Sequence, residues 1–372
     1  MTTKPYTIPE ANEMGTLKTG RIDASVHLLS NGHLVVYGGF RAGKAIGKIE
    51  QYNPSLNEWD PGVDIPTDKA SRLITLEDGR LLTLGIKGYG VYDPLNLRWV
   101  EGKGSWTARI GYSATTLSDG RVLLVGGNLC SVENEFCGGD ATNLVEIFDP
   151  REESLVLTAT LPRPSAGHTA TLMKDGRVLI TGGVICKPGV SLCSSTSSSA
   201  ELFDPSTNRW IPVNSMMRPR EGHAAIVLND GRILIVGGRT GDVYNPFNTD
   251  SEIYDSVAND WSLTSLMRYP RVLPRLRDIG DGRILVIGGV PNVPAVEGNY
   301  AESEIYDLQN GHWQSTVDKK FNGSVYGVFS AQSGTTLAVG FNKFCGGWIM
   351  TSVEVFDPQS DRWTDLPVLT GI

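Results

Sequence analysis

The 372-residue chain is 40% hydrophobic, enough for a sizeable core, and sets 33 Lys and Arg against 41 Asp and Glu, a formal net charge of −8. That sign disfavours nucleic acid and anionic membrane surfaces as partners, and no apolar run reaches the ~18–20 residues a membrane-spanning helix needs. Its 43 Gly and 20 Pro suit a turn-rich β protein.

Residues 1–20 hold no hydrophobic stretch resembling a signal peptide and are expected to lie along an outer edge. From residue 21 one pattern recurs seven times. An aliphatic strand, most often opened by Asp-Gly-Arg, ends at a glycine pair whose first member is Gly38, Gly85, Gly126, Gly182, Gly237, Gly288 or Gly340 (Gly85 and Gly340 stand single). A loop follows, then Glu, two residues and Asn53, Asp93, Asp149, Asp204, Asp255, Asp307 or Asp357. Six residues later stand Trp59, Trp99, Trp210, Trp261, Trp313 and Trp363, with Leu155 in the third copy. The second copy has Gly90 where the others have Glu. The copies divide at about 21–62, 63–104, 105–160, 161–214, 215–265, 266–317 and 318–366, leaving 367–372 as a tail.

Each copy reads as four short strands. In the fourth, GHTATLM, GRVLITGG, SAELFDP and NRWIPV are separated by Asp175-Gly176 and Asp204-Pro205. An Asp-Gly link between apolar runs is a strong hairpin signal, and a fixed period near 50 residues signals an array of stacked or radial units. The Trp is placed to fill the space between neighbouring sheets.

The glycine pair, the Glu-x-x-Asp-Pro stretch and the Trp resemble the kelch-repeat family, similar to the central domain of galactose oxidase. The resemblance implies an all-β, seven-bladed propeller of four antiparallel strands per blade. Its first strands would line a central channel, and its blade-connecting and second-to-third-strand loops would share a ligand face. All seven blades are complete in chain order, so no exchange of a terminal strand is needed.

Candidate site residues come from where the copies differ. Ten residues before the hairpin Asp, or its equivalent, stand Arg21, Arg109, Arg220 and Arg271, and twelve before stand Arg163 and Arg218. Near a channel mouth these would grip a carboxylate, sulfate or phosphate through bidentate hydrogen bonds. The alternative is internal pairing with the repeat Glu, since the second copy lacks both members of the pair. The seventh, with Glu354 and Gly323, breaks that correlation. Seven before the Asp come Tyr112, His168, His223 and Tyr326. These are either acid–base groups or hydrogen-bonded partners between blades. Tyr89, Trp106, Tyr244 and Trp348 are aromatics outside the packing register; they would line a binding surface or pin their own loops. The serine run 194–199 reads as loop filler.

Cys130 and Cys137, and likewise Cys186 and Cys193, form matched C-x6-C pairs in equivalent loops. They read as local disulfides of an oxidising compartment or as free cytosolic thiols. Lack of a leader favours the cytoplasm; a removed one would reconcile secretion with the cysteines. Metal and cofactor are expected to be absent, because the histidines are too few for a copper set of the galactose-oxidase type. The expected function is binding of an anionic or aromatic ligand, or of a protein partner's acidic segment, by a monomer. A cofactor-free isomerase, epimerase or cyclase on a small acidic substrate is the alternative, and a secreted carbohydrate-binding domain the second.

Overall fold

Each Asp-Gly turn joins the two aliphatic runs beside it. In the fourth repeat Thr169–Leu172 pairs antiparallel with Val178–Thr181. Asp175 accepts the Arg177 backbone N–H at 3.0 Å and its Nε–H at 2.9 Å, and Gly176 takes a left-handed φ of 86°. The same carboxylate-to-arginine clip recurs at Asp78, Asp119 and Asp230. The Asp-Gly-Arg signature is therefore turn chemistry.

The computed structural model describes residues 25–29, 33–38, 40–41, 44–53, 56, 58–60, 62–65, 72–133, 136–185, 195–241, 247–289, 303–316, 325–330, 335–343 and 349–366. These residues contain seven sheets built on four antiparallel strands, each completed by the chain before the next begins. Their first strands are Ser25–Leu28, Arg72–Thr75, Ser113–Thr116, Thr169–Leu172, Ala224–Val227, Arg275–Asp278 and Val325–Ser330. The first sheet gains a short fifth strand, Val63–Asp64, paired with Lys48 and Ile49.

First strands touch from sheet to sheet, and that of the last sheet touches that of the first. Between sheets 2 and 3 the link is a hydrogen bond from Arg72 Nη1 to the Tyr112 carbonyl, 3.0 Å. The fold is a β-propeller. Its core lies between blades rather than at a single centre. One cluster joins Leu123, Val125 and Val145 of the third blade to Val178, Ile180 and Phe203 of the fourth, and others repeat the arrangement around the ring.

The repeat aromatics supply much of this packing. Tyr52, Phe203, Tyr254, Tyr306 and Phe356 lie directly across the ladder from Trp59, Trp210, Trp261, Trp313 and Trp363. Ring centroids in these pairs are 4.8–5.4 Å apart. Trp210 donates to the Ala159 carbonyl at 2.9 Å and Trp261 to that of Asn214 at 2.7 Å, so each indole is tied to the preceding blade. The expectation that Trp fills the gap between sheets holds.

In the third blade Leu155 faces Phe148 instead. Tyr89 of the second blade fills the vacated volume, edge-on to Phe148 at 6.2 Å.

In blades 3 to 5 the first glycine of the pair meets the following blade. Gly182 and Gly237 have φ of 68° and 70°. A Cβ on them would stand 2.3 and 2.5 Å from the carbonyl oxygens of Arg220 and Arg271. Only glycine permits both the left-handed backbone and that approach.

Candidate functional site

The chain returning from each outer strand runs inward across the loop face, carrying the candidate arginines. Arg109, Arg220 and Arg271 are enclosed and do not face a ligand. Each meets the glutamate of its own blade: Arg109–Glu146 at 2.5 Å, Arg220–Glu252 at 2.6 Å and Arg271–Glu304 at 2.8 Å, with side chains on both sides almost without solvent exposure. Arg220 and Arg271 also donate to the carbonyls of Gly237 and Gly288, both at 2.8 Å. Glu252 further accepts the backbone N–H groups of Met217 and Arg218. The network stitches the incoming connection to its blade. Of the two readings open in the sequence, internal pairing is the one these three arginines follow.

Blade 4 has Ser165 at the ten-back position, and Arg163 reaches Glu201 from two residues earlier. Arg163 and Arg218 are the exposed pair. Arg218, with 58% of its side chain open, stands 3.5 Å from Asp250.

His168 and His223 are buried and join blades. His168 Nε2 pairs with Ser113 Oγ at 2.9 Å, and His223 Nε2 with Thr169 and Thr181 Oγ1, both at 3.0 Å. Their rings rest on the first glycine of the preceding blade, where a Cβ on Gly126 or Gly182 would come within 2.9 or 2.8 Å of them. Burial pulls the His168 pKa down to about 4. Burial also holds His223 well below the ordinary value, assisted by the charges of Arg220 and His168. Both are neutral at pH 7, which suits a hydrogen-bonded strut and not a proton shuttle.

Protons therefore bind the unfolded chain, near pH 6.5, before the folded one. The His168 contribution is complete above that pH and fades as pH falls toward 4. Between pH 7.5 and 4.5 it should remove about 2–3 kcal/mol. Urea midpoints for wild type and His168→Asn across this range should converge on acidification; a constant gap would refute the assignment.

Tyr89, read above as lining a binding surface or pinning its own loop, is buried in the core and donates from its hydroxyl to the Lys103 carbonyl. Trp106 is half-buried, donates to the Gly85 carbonyl at 2.6 Å, stacks edge-on with buried Tyr112 at 5.7 Å and lies under the Arg109 guanidinium at 4.4 Å. Both aromatics serve packing. Arg21, Tyr244, Trp348, Cys186, Cys193 and residues 1–20 lie outside the described residues, as does the Tyr326 side chain. Cys130 and Cys137 are opposite one another in a hairpin and joined as a disulfide. Within the described part of the serine run, 195–199, Ser197 and Ser199 are buried, and the Ser197 and Ser198 carbonyls accept from Arg220 and Met216 of the next connection.

Among the described residues this face holds a depression of about 350 Å³ lined by Arg218, Pro219, Thr240, Phe247, Asn248, Thr249 and Asp250. Its walls are fastened. Arg239 and Glu221 exchange both backbone hydrogen bonds at 3.0 Å and pair side chains at 2.7 Å, while Arg239 also bridges to Phe247. Beside it a belt of backbone bonds links successive blades, from Gly167 N–H to Gly111, Gly222 to Gly167 and Leu273 to Gly222, at 2.6–3.0 Å.

Residues 26–65 match the Kelch motif. The chain is 24% identical to mouse (Mus musculus) Kelch-like protein 36 over 283 residues, 74% of this chain and 43% of that protein. It is 23% identical to the Caenorhabditis elegans spermatocyte protein spe-26 over 330 residues, 86% of this chain and 52% of that one. The chain thus carries a Kelch motif and is similar to kelch-repeat proteins. It spans about half the length of these relatives or less. A fungal alcohol oxidase of the AA5 family, solved with copper, superposes with a TM-score of 0.65 at 16% identity, over 90% of this chain and 74% of that one. That likeness is one of fold.

Within the propeller, sequence reasoning missed Leu273. Eight residues before the hairpin Asp, blades 3 to 5 carry Gly111, Gly167 and Gly222 with φ of 66°, 67° and 59°, and blade 6 carries Leu273 at 57°. The leucine is 66% exposed. Aligning the connections on the hairpin Asp would have exposed the substitution; the cost of its backbone needed the structure.

Proposed function

We propose that this kelch propeller is a protein-binding module whose partner docks across the connections of blades 4 to 6 with an acidic, partly apolar segment. The observation that carries the reading is Leu273. A Cβ in the left-handed region costs roughly 1–2 kcal/mol, and a leucine left 66% exposed recovers little of that by burial within its own chain. Strain of this kind persists where a site uses it. Nearby, exposed Arg218 is held only loosely by Asp250, next to a fastened depression of a size that accepts one or two side chains. Similarity to kelch-like proteins supports a protein partner.

Peptides selected from a random library on the immobilised full chain should be rich in Asp and Glu with a flanking apolar residue. Fluorescence anisotropy should show Arg218→Glu and Leu273→Gly each weakening them by roughly tenfold. Leu273→Gly should meanwhile leave the thermal midpoint unchanged or higher. Peptides that bind both variants as tightly as wild type, or a selection that enriches no acidic sequence, would sink the reading.

A further inference from the structure

The ladder register matches positions along the seven first strands. Arg72 lies opposite Leu84 and Arg275 opposite Ile287, in each case the residue before the first glycine. The two arginines therefore stand at one level of the channel, in blades 2 and 6. At that level the other blades offer Ser25, Ser113, Thr169, Ala224 and Gly327, none of them charged. The one acidic residue in any first strand is Asp278, at the hairpin end, where it accepts the Gly280 N–H.

Among the described residues neither guanidinium meets a carboxylate. Arg72 is aimed by its bond to the Tyr112 carbonyl and by lying over the Tyr112 ring at 5.5 Å, and it remains exposed. Arg275 is exposed and has no hydrogen bond or ion pair among the described residues. Two positions along, Arg277 donates to the Val328 carbonyl at 3.2 Å, and its buried Nε–H has no partner. This contrasts with Arg109, Arg220 and Arg271, each of which meets a glutamate. The protein around the channel lowers the Arg275 pKa although the residue stays open to solvent, and the charge of Arg72 lowers it further. Burial and Arg72, in that order, bring His27 to about 4. A protein of net charge −8 thus gathers uncompensated positive charge inside its channel.

We propose that the channel binds a small polyvalent oxyanion, of the phosphate or polycarboxylate class, between Arg72 and Arg275. Bidentate guanidinium contacts from opposite sides of the channel would relieve the mutual repulsion of the two cations. The site lies within the channel and does not depend on the loop-face partner.

Thermal-shift and calorimetric titrations of the full chain with inorganic phosphate, sulfate and citrate, at fixed ionic strength, test it. At least one anion should raise the midpoint saturably, and Arg275→Gln and Arg72→Gln should each weaken it by roughly tenfold. In anion-free buffer Arg275→Gln should melt higher than wild type because the repulsion is gone. No saturable shift with any of the three anions would overturn the proposal. So would unchanged affinity in both variants, or equal weakening by Arg232→Gln, whose charge lies on an exposed turn.

Discussion

Arg220→Met is expected to lower stability by about 3–5 kcal/mol, among the largest effects of any single change here. The side chain has no solvent exposure and divides its donors among the Gly237 carbonyl, Asp250 and Glu252. Removing it leaves the Glu252 carboxylate buried without a cation, held by two backbone N–H groups and with no route to water. The fault lies in the stranded charge more than in the lost attraction. Arg220→Met combined with Glu252→Gln should therefore recover much of the loss. Urea unfolding of both variants checks this; a double variant no more stable than the single one would refute it. Arg232, clipped to Asp230 on an exposed turn, should cost under about 1 kcal/mol when changed to Met.

Trp261→Ala should cost a comparable ~3–5 kcal/mol. The indole is buried between blades 4 and 5, 4.8 Å from Tyr254, and its N–H satisfies the Asn214 carbonyl of the preceding blade. Alanine would open a cavity and orphan that carbonyl together. The informative counterpart is Leu155→Trp, which restores the repeat residue in blade 3. It should destabilise by ~1–3 kcal/mol, because Tyr89 already occupies the volume against Phe148. Adding Tyr89→Ala should relieve the clash. Thermal midpoints decide the matter, and a Leu155→Trp variant more stable than wild type would contradict the packing.

These contrasts mark how far the sequence could be read. The blade pattern was legible because its signals are local. Asp175 and Arg177 close a turn two residues apart, and Phe203 and Trp210 are seven residues apart on adjoining strands, so their spacing alone places them opposite one another. Tyr89 misled because its partner, Phe148, belongs to another blade.

What the chain determined by itself is the repeating sheet, written in short-range turn and cross-strand chemistry that needs no distant partner. What tertiary structure decided is the fate of each arginine. Arg220 and Arg275 are alike as residues and stand ten and six positions before their turns. One is carried to a glutamate 32 residues along the chain, and the other faces a cation from the opposite side of the channel. Charge compensation acts over a few ångströms of space between residues remote in sequence, so only the closed ring distinguishes an arginine that holds the fold from one left open to a ligand.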